Sequence, residues 1–292
     1  MNALDSSIQT VLIIGAGRVG TSLYRVLSEK TNYTAKLFDI HFSRLIDQNL
    51  LNPGDKVKLL TEASLINVGM IFICTQDDAI ENVVSHLSQF DLKDKYVLHT
   101  AGSLDSGILE SLKSKGTKTG SLHPMQTFVQ RFSDIEIWNN IICSYEGSEE
   151  IFQEIQILCA KLDAHLIRVS PDQKTALHLA GVITANFLVG LISWAEEVLK
   201  NSQLKDIEYP KILIPLMQKT LNNYKIRDIG KILTGPINRG DINTIKNHLK
   251  YLEKSPDTLN PNLYKLIARM IAGNSSFDIS NREALLQLFG IQ

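Results

Sequence analysis

Two stretches of this chain carry residue types whose spacing can do chemistry. The first is Val11-Leu-Ile-Ile-Gly15-Ala-Gly17-Arg18-Val19-Gly20, an apolar run that enters a G-x-G-x-x-G turn. Each glycine has its own task. Gly15 permits a tight strand-to-helix turn, Gly17 lets the backbone approach a pyrophosphate, and Gly20 lets the helix pack close to the strand. The helix start, with Arg18 and Val19 in its first turn, offers free N–H groups and a partial positive charge to phosphates. Asp39 follows nineteen residues after Gly20, where a carboxylate accepts hydrogen bonds from an adenosine ribose. The pattern predicts a bound NAD or NADP. Asp39 repels a 2′-phosphate and inclines the site to NAD, whereas Arg18, His41 and Arg44 can offset it.

The second stretch is Lys174 and His178, four residues apart and therefore on one helix face. Hydride transfer to a carbonyl or imine needs a proton donor, or at least a cation, beside the developing negative atom. Lys174 lies four residues into a helix start, whose positive end makes its ammonium a better acid, and burial adds to this. A solvated first-turn lysine is the plain alternative. His178 can orient substrate or share the proton work. Asn186, about 12 Å further along the axis, can fix another part of the substrate or the cofactor carboxamide. Both also suit hydrogen-bonded places in a core.

Loops past predicted strands supply further candidates. His123 lies in Ser121-Leu-His-Pro-Met-Gln-Thr-Phe128, a wall for nicotinamide or substrate, or a plain turn. His99-Thr100-Ala-Gly-Ser103 offers small residues and the Thr100 and Ser103 hydroxyls to cofactor or carboxylate, or is an ordinary turn. Thr75 can touch the cofactor, and Asp77 or Asp78 reads as the N-cap of a helix beginning at Ala79. Arg239 either pairs with a substrate carboxylate or pairs locally while Asp241 caps the next helix. No metal-ligand spacing stands out.

These residues need a scaffold, and the pattern outlines one. Short apolar runs alternate with helical stretches up to about Val169, predicting a mainly parallel sheet with strands at Thr10–Ile14, Thr34–Phe38, Met70–Cys74, Tyr96–His99, Thr119–Leu122, Ile137–Ser144 and His165–Val169. A helix is expected over Ser148–Leu162. Ser170-Pro171-Asp172-Gln173 then combines an N-cap, a first-turn proline and a capping box, opening a helix to about Lys200. Helices follow near Asp206–Tyr224, where Pro215 predicts a kink, and at Asp228–Leu233, Asn243–Leu252, Pro261–Ala272 and Arg282–Phe289. The expected layout is residues 1–169 as a dinucleotide-binding domain and 170–292 as an all-helical domain for substrate binding and dimerisation.

Composition narrows the classes. At 292 residues, with 44% hydrophobic and 21% charged residues, the chain reads as a soluble globular protein. A formal net charge of −1 gives nucleic acid or a membrane surface no electrostatic claim. Three cysteines without metal spacing read as reduced thiols, and Met1–Gln9 lacks the features of a signal peptide, so a cytoplasmic protein is expected. Ala176–Trp194 approaches membrane-spanning length, yet His178, Thr184, Asn186 and Ser193 favour an interior helix.

Taken with their context, the strings S-L-H-P-M-Q-T-F, H-x-A-x-V-x-x-x-N-F from His178 to Phe187, and T-G-P-x-x-R-G-D from Thr234 to Asp241 resemble two-domain Rossmann-like oxidoreductases with a C-terminal domain of unknown function. These are distant kin of ketopantoate reductases, pyrroline-5-carboxylate reductases and β-hydroxyacid dehydrogenases. The resemblance implies a second domain of the 6-phosphogluconate-dehydrogenase-like kind, a homodimer that buries its long apolar helix, and NADPH by analogy with biosynthetic reductases. Within that family some members resemble an alternative ketopantoate reductase of pantothenate synthesis, the preferred expectation here. An imine reductase or a noncatalytic NAD(P)-binding sensor stands as the alternative. Lys174 matches the proton-donating lysine of the ketopantoate reductase relatives. His178 replaces their asparagine and so competes as the acid. Val182 replaces a further polar position, with Asn186 in compensation.

Overall fold

The computed structural model describes residues 8–41, 51, 54–204, 207–256 and 259–290. Arg44 and Asp206 therefore lie outside the described residues. Two compact units divide the chain, Met1–Ala185 and Asn186–Gln292. The expected boundary at Val169 marks the end of the strands, while the contacts divide further on, inside the long helix.

Eight strands build the first unit: β1 (Thr10–Ile14), β2 (Thr34–Phe38), β3 (Lys56–Val57), β4 (Met70–Ile73), β5 (Tyr96–His99), β6 (Lys118–Pro124), β7 (Ile142–Gly147) and β8 (His165–Arg168). They form one sheet in the order β3-β2-β1-β4-β5-β6-β7-β8. All neighbours run parallel except β6 and β7. Central strands read as continuous apolar runs because both faces are covered. Val11 and Ile13 of β1 join one core layer with Met70 and Phe72 of β4, while Leu12, Ile14, Ile71 and Ile73 point into the other. The connecting helices are α1 (Arg18–Lys30), α2 (Glu62–Leu65), α3 (Ile80–Leu87), α4 (Glu110–Lys113) and α5 (Glu149–Lys161), followed by α6 (Pro171–Gly181).

The order reverses beside β1, where one crossover leads outward to β2 and the next returns to β4. Ligands of open α/β sheets bind outside the carboxyl ends of the strands at such a switch point. The glycine turn stands there.

Two expectations need correction, and one strand is additional. A strand over Ile137–Ser144 is instead a 3-10 turn, Ile135–Trp138, followed by β7. Trp138 is buried and donates its indole N–H to Ser22 Oγ at 3.0 Å, and Asn140 then turns the chain at φ +60°. A helix over Asp228–Leu233 shrinks to the 3-10 turn Ile229–Lys231, in which Gly230 abuts the Ser276 carbonyl too closely for any Cβ. The edge strand β3, only two residues long, has no counterpart in the sequence pattern.

The second unit holds α7 (Phe187–Asn201), α8 (Tyr209–Ile226, with Pro215 inside), α9 (Ile242–Glu253), α10 (Pro261–Gly273) and α11 (Arg282–Leu288). Ile245, Leu249, Ala268, Ala272, Leu285 and Phe289 form its core. The helix that opens at Ser170 is continuous to Asn201, with a π-helical segment at Val182–Asn186. By length and composition it could cross a membrane, with a mean hydropathy of 1.8 in its most apolar window, and none of that window is buried in the chain. The expected interior helix is thus uncovered in a single copy: Phe187 is 58% and Val189 66% exposed.

Candidate active site

The glycine turn is shaped by contacts that no side chain could share. Gly15 adopts φ +105°, and a Cβ there would lie 2.8 Å from the backbone of Cys74. A Cβ on Gly20 would stand 2.0 Å from the Gly15 carbonyl oxygen. Gly17 differs, since its Cβ would meet only the Cys74 oxygen, at 3.9 Å, so open space is what it supplies. As the N-cap of α1 it brings no side-chain cap, which leaves first-turn N–H groups free for an anion. Arg18 is exposed beside them, while Val19 packs on the core.

Asp39 is tied into this turn. Its Oδ2 accepts from Ala16 N–H at 2.7 Å and its Oδ1 from His41 N–H at 2.7 Å. Each oxygen keeps a lone pair for a ribose hydroxyl. At the end of β4 the Thr75 hydroxyl oxygen is buried with no partner in the protein. A buried hydroxyl without a partner costs free energy unless a ligand or water supplies one. Thr100 hydrogen-bonds the thiol of Cys74, which burial pushes up to about 12. These residues fit a dinucleotide.

One strand further along the sheet, the chemistry gathers around Lys174. Ser170 caps α6 as expected: its hydroxyl accepts from Gln173 N–H at 3.2 Å, and Gln173 Oε1 accepts from Ser170 N–H at 2.9 Å. This cap starts the helix at Pro171 and so sets Lys174 on its inner face. The lysine is only 2% exposed, which excludes the solvated alternative. Its Nζ donates to the Ala101 carbonyl at 2.5 Å and to Ser121 Oγ at 2.7 Å. One N–H remains for a substrate atom. Burial draws the ammonium down to about 8, and Glu146, Asp77 and Asp105 oppose that fall from longer range.

Histidines surround this cation. Burial first, and Lys174 second, hold His99 and His123 down to about 4, so both are neutral at neutral pH. His99 Nε2–H donates to the Asp105 carbonyl at 3.0 Å and leaves a buried Nδ1 without a partner, as does His123. His123 and His178 meet edge to face with ring centroids 5.6 Å apart. Gly102 makes room for both: a Cβ there would lie 2.3 Å from His178 Nδ1 and 2.8 Å from His123 Nε2.

The remaining candidates are placed as follows. Ser103 donates its hydroxyl to Asp77 Oδ2. Asp77 is therefore a hydrogen-bond acceptor and not an N-cap, since the 3-10 turn Asp77–Ala79 begins after Gln76 and has no side-chain cap. Asn186 and Arg239 belong to the second unit and both are exposed. Asp241 caps α9, accepting from Thr244 N–H at 3.0 Å and Thr244 Oγ1 at 2.7 Å. These bonds first, with Arg239 contributing at longer range, hold its carboxyl below the usual value. Of the two readings of that loop, the structure supplies the cap. Among the described residues Arg239 forms no ion pair, and no cluster could hold a metal.

Sequence reasoning missed Ala101 as acceptor, Gly102 as the seat of two imidazoles, and Ser121 as the lysine's anchor. The spacing of Ser121 and His123 held a usable signal: residues i and i+2 of a strand share a face. Nor did it foresee the π-helical segment one turn beyond His178, a feature frequent at functional sites.

Comparison with known proteins adds context. Residues 141–271 match a domain family of unknown function, DUF2520. No curated protein matches the chain. A provisionally assigned NADP oxidoreductase from Bacteroides fragilis is 25% identical, with 91% of this chain and 99% of that one aligned at a TM-score of 0.71. A reductive aminase from Aspergillus terreus, solved with NADPH and ethyl-5-oxohexanoate, aligns over 97% and 100% at 13% identity and a TM-score of 0.67. The V8 variant of an imine reductase from Myxococcus stipitatus, in complex with NAD+, aligns over 96% and 98% at 15% identity and a TM-score of 0.64. The fold is that of the imine reductases. In this imine-reductase fold the chain sets Lys174, His178 and His123 beside the glycine turn's end of the sheet.

Proposed function

We propose that this chain is an NAD(P)-dependent oxidoreductase that reduces a C=O or C=N bond of a small molecule, with Lys174 as proton donor. The observation that carries this reading is the buried ammonium at the carboxyl ends of the strands, anchored by Ala101 and Ser121 with one N–H to spare. Gly15, Gly17 and Gly20 would admit the pyrophosphate, Arg18 and the α1 N-terminus would face it, and Asp39 and Thr75 would take hydroxyl and amide groups. NADPH and NAD+ in similar folds support use of either form. Bound NAD(P)H supplies the hydride. Lys174 would give its proton to the emerging alkoxide, or to the nitrogen of a neutral imine as hydride adds to its carbon, and its charge would stabilise that atom beforehand. His178, half-buried on the same helix face, shares the proton work or orients the substrate, and His123 lines the same wall.

Within this class we favour a small 2-oxo acid, with ketopantoate the leading candidate. No carboxylate of the described residues lies within 4.0 Å of Lys174 Nζ, so the nearest charge at the site repels an iminium and attracts a carboxylate or a polarised carbonyl. An imine substrate is the second reading, favoured by the similar folds named above. Purified protein should oxidise NADH or NADPH, followed at 340 nm, when given ketopantoate or a related 2-oxo acid, and more slowly with pyrroline-5-carboxylate. Faster turnover of the imine would reverse the preference. No oxidation of either cofactor with either class would end the enzymatic reading and leave a dinucleotide sensor.

The uncovered helix supports a homodimer. An exposed apolar face of this length is stable in water only when covered, and a second copy is the commonest cover. Light scattering should return twice the 32.7 kDa chain mass. A monomer in buffer, or a protein soluble only in detergent, would refute it.

A further inference from the structure

Lys174 donates to neutral acceptors and touches no carboxylate, yet a buried ammonium needs negative charge nearby to persist at neutral pH. The groups that face it come from every surrounding element: Asp77 after β4, His99 and Asp105 at and after β5, His123 on β6, Glu146 on β7 and His178 on its own helix. The carboxylates among them are engaged differently. Asp77 receives the Ser103 hydroxyl, and Asp105 caps the turn at Gly107 N–H. Glu146 stands directly opposite Ser121 in the antiparallel β6–β7 pair. Opposite residues project to the same face with Cβ atoms about 5 Å apart, and Ser121 is the residue that accepts the lysine's proton bond. The Glu146 carboxylate is also clamped: Oε2 accepts from Ser106 N–H at 2.6 Å and Oε1 from the Ser106 hydroxyl at 2.8 Å.

We propose that Glu146 is a positioning residue which, fixed by Ser106 and acting across the strand pair through Ser121, keeps Lys174 in its ammonium form. It does not touch substrate. Among the three carboxylates it exerts the largest upward pull on the lysine. This inference deepens the proposed function and rests on it only for the kinetic part of its test.

Two measurements decide it. The alkaline limb of kcat should move to lower pH by about one unit in Glu146→Gln, with the plateau below it nearly unchanged. Glu146→Asp, which retains the charge, should keep the limb within about half a unit of wild type. The second measurement needs no substrate. The stability difference between Lys174→Met and its parent should change with pH over a window that opens at lower pH in the Glu146→Gln background. If Glu146→Gln does not accumulate as folded protein, Glu146→Ala replaces it and must move both readouts the same way. Unmoved readouts, or a shift as large in Glu146→Asp as in the neutral variants, overturn the proposal. If wild type shows no turnover, the proposed function fails alone, and the stability pair still decides the coupling.

Discussion

Lys174→Met is expected to lower kcat by about 10²-fold or more while leaving NAD(P)H affinity within about threefold. Methionine keeps much of the buried stem's volume but removes the proton, the charge and the bonds to Ala101 and Ser121. Loss of kcat with cofactor binding intact identifies an interaction made with the reacting atoms. His178→Asn should cost less, about tenfold, if the imidazole only orients the substrate. The reverse ranking would make His178 the donor.

The pH dependence gives a second signature with a defined sign. Reduction needs the ammonium, so kcat should fall as pH rises through about 8, where burial has brought Lys174. Stability moves the other way. The folded protein holds this proton less tightly than the unfolded chain, whose lysine titrates at 10.5. Between about 8 and 10.5 the unfolded state therefore binds more protons, and wild type gains stability as pH rises through that window. The gain is on the order of 3 kcal/mol at most and should be absent in Lys174→Met. Denaturant midpoints of both proteins at pH 7.5 and about 10 would compare them; parallel behaviour would mean that the lysine titrates normally.

Gly20→Ala is the second large effect. Its Cβ would press on the Gly15 carbonyl oxygen from 2.0 Å, and that oxygen is a backbone atom. No rotamer relieves that contact, so α1 must move away from β1. We expect a loss of about 3 kcal/mol or more and a Tm lower by about 10 °C. Gly17→Ala separates fold from function, because its Cβ meets only one atom, at 3.9 Å. That variant should melt near wild type yet bind NAD(P)H about tenfold or more weakly, through crowding of the pyrophosphate. Thermal melts with and without cofactor test both. An unchanged Tm in Gly20→Ala would mean that the close packing of helix and turn is not needed.

Much of the scaffold was legible because local rules and tertiary packing agree. The strands Thr10–Ile14 and Tyr96–His99 fall where the apolar runs put them, since central parallel strands are covered on both faces, and Thr34–Phe38 falls where its buried Ala35 and Leu37 alternate with more exposed residues. Ser170, Pro171 and Gln173 mark a helix start by chemistry local to four residues, and the cap forms as read. Where side-chain preference met a constraint from elsewhere, the pattern misled. Trp138 favours a strand on its own, yet it sits in a 3-10 turn because its indole reaches Ser22 on α1.

The sequence by itself determined the mainly parallel sheet, the glycine turn and the helix face that bears Lys174 and His178. These follow from periodicity and short-range backbone geometry, which depend on near neighbours in the chain. Only the tertiary structure decided that Lys174 is buried, that Ala101 and Ser121 hold it, and that Gly102 seats His123 and His178. Those facts depend on groups 53 and 73 residues away along the chain, brought together by strand order. Desolvation, which turns an ordinary lysine into an acid that releases its proton near neutral pH, exists only once that packing has excluded water.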